Sequence, residues 1–353
     1  MMHPLVNDLD HVLDYVSWDE LRGSRLFITG GTGFFGTWLL ETFAWANDRL
    51  DLNAKATVLT RNPDRFREKA PHLAAHPHID FLTGELTTFD FPPGQFSHVI
   101  HAATESATRL NEDYPLRMID TLVDGTRRVL EFTQRGAVGK FLLVSSGAVY
   151  GRQPPGLRHL QEDYLGGPDP TDPASAYAEG KRLAELLCAI YAQRHHLQAS
   201  IARCFAFVGP HLPLDAHFAI GNFIRDTLTG GPIRVNGDGT PCRSYLYASD
   251  LAIWLWTILF RGVAGRAYNV GSMEDISIAE TARAVSDAIN PTVPVHVAQV
   301  PFPNESAQRY VPDTRRAQSE LGLSQTVTLS EAIQRTIRWH RLVGGCYNNA
   351  IAV

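Results

Sequence analysis

The chain has 353 residues, of which 44% are hydrophobic and 20% charged, values typical of a globular protein with a sizeable core. A formal net charge of −5 gives no electrostatic reason to expect binding to nucleic acid or to an anionic membrane. The first 20 residues lack the basic and apolar regions of a signal peptide, and the longest apolar run, residues 251–260, is too short to span a bilayer.

Short apolar strands alternate with helical patterns through the first half of the chain. We predict strands at residues 25–29, 56–60, 79–82, 98–101, 140–145 and 200–204. We predict helices at about residues 34–45, 116–134 and 176–193. This alternation predicts an α/β fold with a doubly wound, parallel Rossmann sheet.

The pattern changes after Gly209. A stretch rich in Gly and Pro follows, and further helices are predicted near residues 222–228, 278–289 and 329–341, with a tail at 344–353. We therefore predict a Rossmann domain from residues 1–210 and 241–272. The remaining residues, 211–240 and 273–353, are predicted to form a smaller, mostly helical C-terminal lobe that binds the substrate.

The cysteines are scattered and have no C-x-x-C spacing, at Cys188, Cys204, Cys242 and Cys346. This pattern argues against a zinc site and against a disulfide framework, and it fits a reducing environment. We therefore predict no metal and a cytoplasmic location.

A glycine-rich turn follows the first predicted strand and opens the first long helix. Glycines let the backbone approach a phosphate, and the helix N-terminus offers unpaired N–H groups. Such a turn alone is a weak signal, but its position after a strand indicates a pyrophosphate site. We predict that the dinucleotide is bound here by Gly30, Thr32, Gly33, Phe34, Phe35 and Gly36.

The tip of the second strand should distinguish NAD from NADP. An NAD-binding strand usually ends in an acid that binds the adenosine ribose. This strand instead ends in Thr60, and Arg61 follows it. Because an arginine here can pair with a 2′-phosphate, the sequence narrowly favours NADP over NAD, although Arg61 could also be a solvated loop residue.

Tyr177 and Lys181 form a Tyr-x-x-x-Lys pattern in a predicted helix, so both project from one face. A nearby ammonium stabilises a phenolate, so we expect Lys181 to lower the pKa of Tyr177 and make it a general acid or base. Ser146 follows the fifth strand, where its hydroxyl could bond the reacting oxygen.

Together these motifs resemble the extended short-chain dehydrogenases/reductases that epimerise, dehydrate or reduce nucleotide sugars. The resemblance covers about residues 25–341 and implies catalytic roles for Ser146, Tyr177 and Lys181. It also implies a nucleotide-sugar substrate and a homodimer. Further dinucleotide contacts are implied for Glu85, Leu86, Ala102 and Ala103, and the two catalytic helix residues also lie along the cofactor.

Substrate contacts are implied at the other end of the chain. The stretch from Gly237 to Arg243 resembles the family segment whose arginine grips the sugar nucleotide's diphosphate, and Arg309 resembles a second phosphate-binding arginine. The family often has an asparagine where this chain has Ala206, and another where it has Leu122. The first departure affects the usual diphosphate and sugar contacts, and the second removes an amide that would normally support the helix carrying Tyr177 and Lys181. Asn222 is a candidate replacement for a substrate contact.

The residues after Ser146 bear on the reaction. Dehydratases of the family carry an Asp-Glu pair there, and decarboxylating members often carry Glu at the second place. This chain has Gly147 and Ala148, which cannot move a proton. We therefore predict a nucleotide-sugar 4-epimerase acting through a transient 4-keto sugar. The alternatives are an NADPH-dependent 4-keto-sugar reductase, then a dehydratase using another acid such as Glu105, and last a non-catalytic dinucleotide sensor.

Overall fold

The computed structural model describes residues 3–104, 113–136, 138–216, 218–289, 291–301 and 306–350, with backbone alone for residues 344–350. Glu105, the alternative acid, lies outside the described residues. The strands of the main sheet are β1 (Arg25–Thr29), β2 (Lys55–Thr60), β3 (Ile79–Thr83), β4 (His98–His101), β5 (Lys140–Ser146), β6 (Gln198–Cys204) and β11 (Ala267–Val270).

All seven strands are parallel and lie in the order β3-β2-β1-β4-β5-β6-β11. The inner strands β1, β4 and β5 are almost entirely buried because helices cover both faces, and this burial explains their apolar runs. The chain adds strands in one direction from β1 to β3 and in the other from β4 onward. The carboxyl ends of β1 and β4 therefore flank the crevice where such sheets bind ligands.

The helices that surround this sheet are α1 (Val6–Tyr15), α2 (Phe34–Leu50), α3 (Pro63–Lys69), α4 (Pro71–Ala74), α5 (Pro115–Arg135), α6 (Ala176–His195), α8 (Ala248–Arg261) and α10 (Arg315–Leu321). Helices α1, α2 and α8 pack together on one face, with Trp38 and Trp254 among their buried residues. Helices α5 and α6 pack together on the other face around Val129 and Cys188.

A separate apolar core joins α7 (Ala219–Leu228), α9 (Ile278–Asp287) and α11 (Leu329–Ala350). Short strands accompany these helices: β7 (Phe207–Val208) pairs with β10 (Leu246–Tyr247), β8 (Ile233–Val235) with β13 (Val295–Val297), and β9 (Cys242–Arg243) with both β12 (Ile276–Ser277) and β14 (Arg309–Tyr310). The predicted domain boundaries stay a prediction.

Several details differ from the sequence-based expectation. Strand β11 was not predicted, because its four residues carry too short a pattern to separate from a loop. The predicted tail from Gly344 instead continues α11 to Ala350, since glycine lowers helix propensity without forbidding a helix. Helix α1 packs its Leu9 and Val12 into the core. Among the described helices, none is long and apolar enough to cross a membrane.

Candidate active site

The turn between β1 and α2 brings backbone to the crevice. Gly30 has a φ of +73°, and a Cβ there would lie 2.5 Å from the carbonyl carbon of Ala102. A Cβ on Gly36 would lie 2.2 Å from the carbonyl oxygen of Gly30. The fold itself therefore requires glycine at both positions. Ala102 and Ala103 donate their N–H groups to the backbone oxygen and side chain of Thr29, which closes the turn against β4.

Gly33 differs from these two glycines. A Cβ there would meet only the carbonyl oxygen of Gly30, at an ordinary 3.5 Å, so packing does not require glycine at this position. Gly33 is exposed and is the N-cap of α2, where no side chain caps the helix. The first N–H groups of α2, together with Thr32, Phe34 and Phe35, therefore border an open space suited to a pyrophosphate.

A buried histidine fixes this turn from behind. His101 Nδ1 lies 2.7 Å from Thr29 Oγ1, and its Nε2 lies 3.0 Å from Thr126 Oγ1 on α5. Burial, together with the charge of Lys181, lowers the pKa of His101 to about 3. The ring is therefore neutral at physiological pH and links β1, β4 and α5 without adding charge to the crevice.

Basic residues follow β2, at the end of the crevice where a ribose phosphate would lie. Arg61 and Arg65 are both exposed. The ammonium of Lys69 bonds the carbonyl oxygen of Thr32 at 3.1 Å and so lies directly beside the glycine-rich turn. Arg61 was predicted from the sequence and Lys69 was not, although the spacing of residues 65 and 69 puts both on one helical face.

The segment after β3 contributes one apolar and one acidic residue. Glu85 is exposed, and Leu86 is half-buried. A Cβ on Gly125 would lie 2.5 Å from Leu86 Cδ2, so glycine on α5 makes room for this leucine. Contacts of Glu85 and Leu86 with the dinucleotide stay a prediction.

The structure brings the predicted trio together. Ser146 ends β5, accepts the N–H of Ala148 at 3.2 Å and forms a hydrogen bond with Tyr177 on α6. Lys181, one turn further along α6, is buried and donates to the carbonyl oxygen of Val144 at 2.8 Å. The helix thus presents a phenol and an ammonium to the carboxyl end of β5.

The pKa values differ from the expectation that Lys181 lowers the pKa of Tyr177. Burial raises the pKa of the phenol above its ordinary value, and the hydrogen bond with Ser146 partly offsets this increase. Burial lowers the pKa of Lys181 itself to about 8. Ser146, rather than Lys181, is therefore the group that favours the Tyr177 phenolate here, because the lysine is directed at the backbone of β5.

Leu122 stands on α5 at the place where the family often has an asparagine. A Cβ on Gly180 would lie 2.7 Å from Leu122 Cδ1, so the leucine packs closely against α6 between Tyr177 and Lys181. Apolar packing thus supports the helix that carries Tyr177 and Lys181, where a hydrogen bond was expected to be lost.

Beneath the trio lies a buried polar network. Ser145 donates to Glu185 at 2.6 Å, and Glu185 forms an ion pair with Arg203 at 2.7 Å. Arg203 also donates to the hydroxyl of Tyr150 at 2.9 Å, and Tyr150 donates to Asn269 at 2.7 Å. These bonds tie β5, α6, β6 and β11 together below the catalytic residues.

Tyr310 lies at this site and was not predicted from the sequence. Its hydroxyl interacts with Ser146, and its ring packs against Phe205, tilted by 35° with 4.6 Å between the ring centroids. A Cβ on Gly147 would lie 2.7 Å from the Tyr310 hydroxyl. Its sequence position next to Arg309, a predicted substrate contact, was the one available signal.

The two predicted phosphate-binding arginines lie on adjacent parallel strands, β9 and β14. Arg243 lies with its guanidinium carbon 5.9 Å from the centre of the Tyr310 ring, which places it near the predicted trio. Arg309 forms an ion pair with Asp275. Asn222, on α7, accepts a hydrogen bond from Arg225 at 3.2 Å. The substrate contacts of all three stay predictions.

One further cluster bears on metal binding. The potential ligand atoms of His3, Glu41 and His72 lie within 4.8 Å of one another. However, the N–H of Leu5 donates to His3 Nδ1 at 3.2 Å, which puts the proton of a neutral ring on Nε2, the atom that faces Glu41. Glu41 is also 2.9 Å from His72 Nε2. Hydrogen bonding between imidazoles and the carboxylate therefore accounts for this cluster.

Comparison with known proteins gives the family. The family model for the NAD-dependent epimerase/dehydratase family matches residues 26–271. The chain belongs to this family. This confirms both the resemblance to the extended short-chain dehydrogenases/reductases and the expectation of an enzyme.

Relatives of known function are moderately similar in sequence. The chain is 28% identical over 325 residues to UDP-glucuronic acid decarboxylase 5 of Arabidopsis thaliana, covering 92% of both chains. It is 27% identical to UDP-glucuronic acid decarboxylase 1 of Danio rerio, covering 91% of this chain and 73% of the relative.

Solved structures confirm the predicted Rossmann fold. A dTDP-glucose 4,6-dehydratase from Streptomyces venezuelae, solved with NAD bound, is 25% identical with a TM-score of 0.75, covering 91% of this chain and 98% of that one. A UDP-glucose 4-epimerase from Thermotoga maritima has a TM-score of 0.73 at 18% identity, covering 90% and 99%. The second likeness concerns the fold alone.

Proposed function

We propose that this enzyme is a nucleotide-sugar 4-epimerase that acts through a transient 4-keto sugar. The observation that carries the proposal is the composition of the site around Ser146. Tyr177 and Lys181 are present, whereas Gly147 and Ala148 stand where the family's dehydratases carry two acids. The side chains of Phe205 and Tyr310 fill the space that a side chain at residue 147 would need. What remains is chemistry that needs only a hydride and one proton.

Each residue of the trio has a role in that exchange. The Tyr177 phenolate accepts the proton of the C4 hydroxyl on oxidation and returns it on reduction. Ser146 bonds the same sugar oxygen and the Tyr177 phenol, so both oxygens are held in one place. Lys181 contributes a buried positive charge one helical turn away, where its ammonium also bonds the Val144 carbonyl.

The glycine-rich turn fits a dinucleotide, because Gly33, unlike Gly30 and Gly36, leaves open space in front of α2. A dinucleotide held by this turn would supply the hydride acceptor for oxidation and the hydride donor for reduction. We propose NADP rather than NAD as the preferred form, because Arg61, Arg65 and Lys69 follow β2 and no acid ends that strand. The related 4,6-dehydratase structure was solved with NAD bound, so the experiment tests both forms of the cofactor.

The substrate is a nucleotide sugar, held at its diphosphate by Arg243 with help from Arg309. A guanidinium can bind a diphosphate through paired hydrogen bonds, and both arginines lie on strands next to Tyr310. The similarity to UDP-glucuronic acid decarboxylases and to a dTDP-glucose dehydratase supports this substrate class.

A second candidate is a 4-keto-sugar reductase. The basic residues after β2 favour it, since NADPH is the usual reducing cofactor. The same trio would then act in one direction only, and the cofactor would have to exchange after each turnover.

The deciding experiment supplies nucleotide sugars deuterated at C4, and 4-keto sugars with deuterated NADPH, and reads the products by NMR. An epimerase keeps the label on C4 with no cofactor consumed, and a reductase transfers label from NADPH to C4. Release of CO₂ from a nucleotide-linked uronic acid, or loss of the C6 hydroxyl, would overturn the proposal. Tyr177→Phe should abolish turnover and retain dinucleotide binding, which separates an enzyme from a sensor.

We also propose a cytoplasmic homodimer. Helices α5 and α6 pack together and expose Leu116, Leu183 and Leu186, with 76%, 43% and 55% of their surface accessible. Exposed leucines on a packed helix pair are typical of a subunit interface. Light scattering on the protein and on its Leu186→Glu variant tests the dimer, since a charge at such an interface should give monomers.

A further inference from the structure

Arg203 lies at the centre of the buried network beneath the trio. Its guanidinium donates to both carboxylate oxygens of Glu185 on α6, at 2.7–3.2 Å, and to the hydroxyl of Tyr150 at 2.9 Å. It also donates to the backbone oxygen of Glu162 at 3.1 Å. The side chains of Arg203 and Glu185 are only 16% and 10% exposed. Because a buried ion pair is weak evidence for stability, a role in fixing geometry explains this pair better.

The first branch of the network joins Arg203 to the helix that carries Tyr177. Ser145 donates to Glu185 at 2.6 Å, so the carboxylate that Arg203 holds also holds β5. Glu185 lies two turns after Tyr177 on α6. Ser145 directly precedes Ser146 at the end of β5. The position of α6 along β5, and with it the approach of the Tyr177 phenol to Ser146, therefore depends on this carboxylate.

The second branch runs through Tyr150 to Asn269 on β11. Arginine can only donate, so the Tyr150 hydroxyl accepts from Arg203 and directs its own proton at Asn269 Oδ1, 2.7 Å away. The other end of this amide, Nδ2, donates to the backbone oxygens of Leu160 and Asp313, at 2.8 and 3.0 Å. Tyr150 and Asn269 are both buried. The guanidinium thus sets the direction of every bond along this branch.

The backbone that this branch reaches carries predicted substrate contacts. Residues 309–313, here called the substrate segment, begin with Arg309 and contain β14. Leu160 forms two backbone hydrogen bonds with this segment, at 2.9 and 2.7 Å. Strand β14 also pairs with β9, which carries Arg243. A shift of the substrate segment would therefore move both arginines.

Resting on the proposed proton exchange at Tyr177 and the proposed diphosphate contacts, we propose that Arg203 is a positioning residue that holds α6 and the substrate segment in one fixed geometry. It acts through other residues and takes no part in proton transfer itself. The branch through Glu185 positions the phenol for chemistry, and the branch through Tyr150 positions the arginines for binding. A residue that served stability alone would not divide its effects between chemistry and binding.

The test cuts the two branches separately with mild substitutions. Glu185→Gln keeps the side-chain size and weakens the hold on β5, so kcat should fall about 10- to 100-fold with KM unchanged, because a small misplacement of the phenol slows the reaction strongly. Tyr150→Phe removes one hydroxyl, so KM for the nucleotide sugar should rise about 5- to 10-fold with kcat little changed. Calorimetric titration with UDP and dTDP should show the same rise in Kd for Tyr150→Phe and none for Glu185→Gln. Arg203→Lys should show both defects, since a lysine lacks the fork that reaches both branches.

Tyr268→Phe is the matched control for Tyr150→Phe. Tyr268 is buried, precedes Asn269 on β11 and bonds Glu320 at 3.0 Å through its hydroxyl, outside both branches. This variant should lower the thermal midpoint and leave kcat, KM and diphosphate binding unchanged. If Tyr150→Phe and Glu185→Gln behaved like this control, or if each changed kcat and KM together, Arg203 would serve stability alone and the inference would be overturned.

The kinetic split is measured on whichever turnover the deuterated substrates reveal. The same split in a 4-keto-sugar reductase would leave the inference standing and reject the proposed 4-epimerase. An epimerase whose variants show no split would retain the proposed function and reject the role of Arg203.

Discussion

The dinucleotide end of the crevice is made mostly of backbone from one continuous segment, residues 30–36, whereas the substrate end is made of side chains from separate segments. At the first end, Gly33 leaves space and the α2 N-terminus supplies donors. At the second, Ser146, Tyr177 and Tyr310 converge from β5, α6 and β14. Adding a side chain should therefore damage the first end, and removing one should damage the second.

The sharpest test of this difference adds bulk at Gly33. We expect Gly33→Val to weaken dinucleotide binding by about 100-fold or more, because the side chain would occupy the space before α2 and cost several phosphate contacts. The thermal midpoint should stay close to that of the wild type, since only one protein atom lies near the new Cβ. Calorimetric titration with NADP and NAD measures the affinity.

Gly36→Ala is the matched control, because its Cβ would meet backbone at 2.2 Å and should impair folding itself. A Gly33→Val protein that binds the dinucleotide normally would reject the pyrophosphate site.

At the substrate end the matched pair is Arg243 and Arg309. We expect Arg243→Ala to raise KM for the nucleotide sugar about 10- to 100-fold, the value of a charge-assisted bond, with dinucleotide affinity unchanged. Arg309→Ala should have a smaller effect, because its guanidinium already forms an ion pair with Asp275. If the two variants had equal effects, or if Arg243→Ala bound substrate normally, the assigned division of roles would be wrong.

The contrast between the two ends also explains what the sequence could predict. The glycine-rich turn and the Tyr177–Lys181 pair are local patterns, with spacings that have meaning within one element. The contact of Tyr310 with Ser146 joins residues 164 positions apart, and no local spacing encodes it. Likewise, Leu122 was read as a lost hydrogen bond, because its packing against Gly180 depends on how α5 meets α6.

Cofactor preference provides a smaller test at the dinucleotide end. We expect Arg61→Ala to weaken NADPH binding about 10-fold or more while leaving NADH almost unchanged, since only NADPH has the 2′-phosphate. Lys69→Met tests the neighbouring ammonium, which bonds the Thr32 carbonyl. Dissociation constants from protein fluorescence would distinguish the two forms. Equal losses for both forms, or a wild type that prefers NADH, would contradict the proposed NADP preference.

The two ends also differ in how they hold a buried basic group. At the dinucleotide end, burial lowers the pKa of His101 to about 3, so the ring is neutral near pH 7. At the substrate end, burial lowers the pKa of Lys181 to about 8, so the ammonium remains largely charged at pH 7. A charge kept in a buried position for catalysis should reduce the free energy of unfolding.

Lys181→Met should therefore stabilise the protein near pH 7 while abolishing turnover. The pKa of Lys181 is about 8 in the folded chain and 10.5 in a model lysine, so between these values the unfolded chain holds more protons. The stability of the wild type consequently rises with pH across this window, whereas that of the methionine variant lacks this contribution. We expect the variant to be more stable by about 1–3 kcal/mol at pH 7, allowing for loss of the bond to Val144, and expect this advantage to shrink toward pH 10. Urea unfolding of both proteins from pH 7 to pH 10 measures the difference. A difference that did not change with pH would show that the charge of Lys181 has no energetic cost, and the substrate end would then resemble the dinucleotide end in this respect.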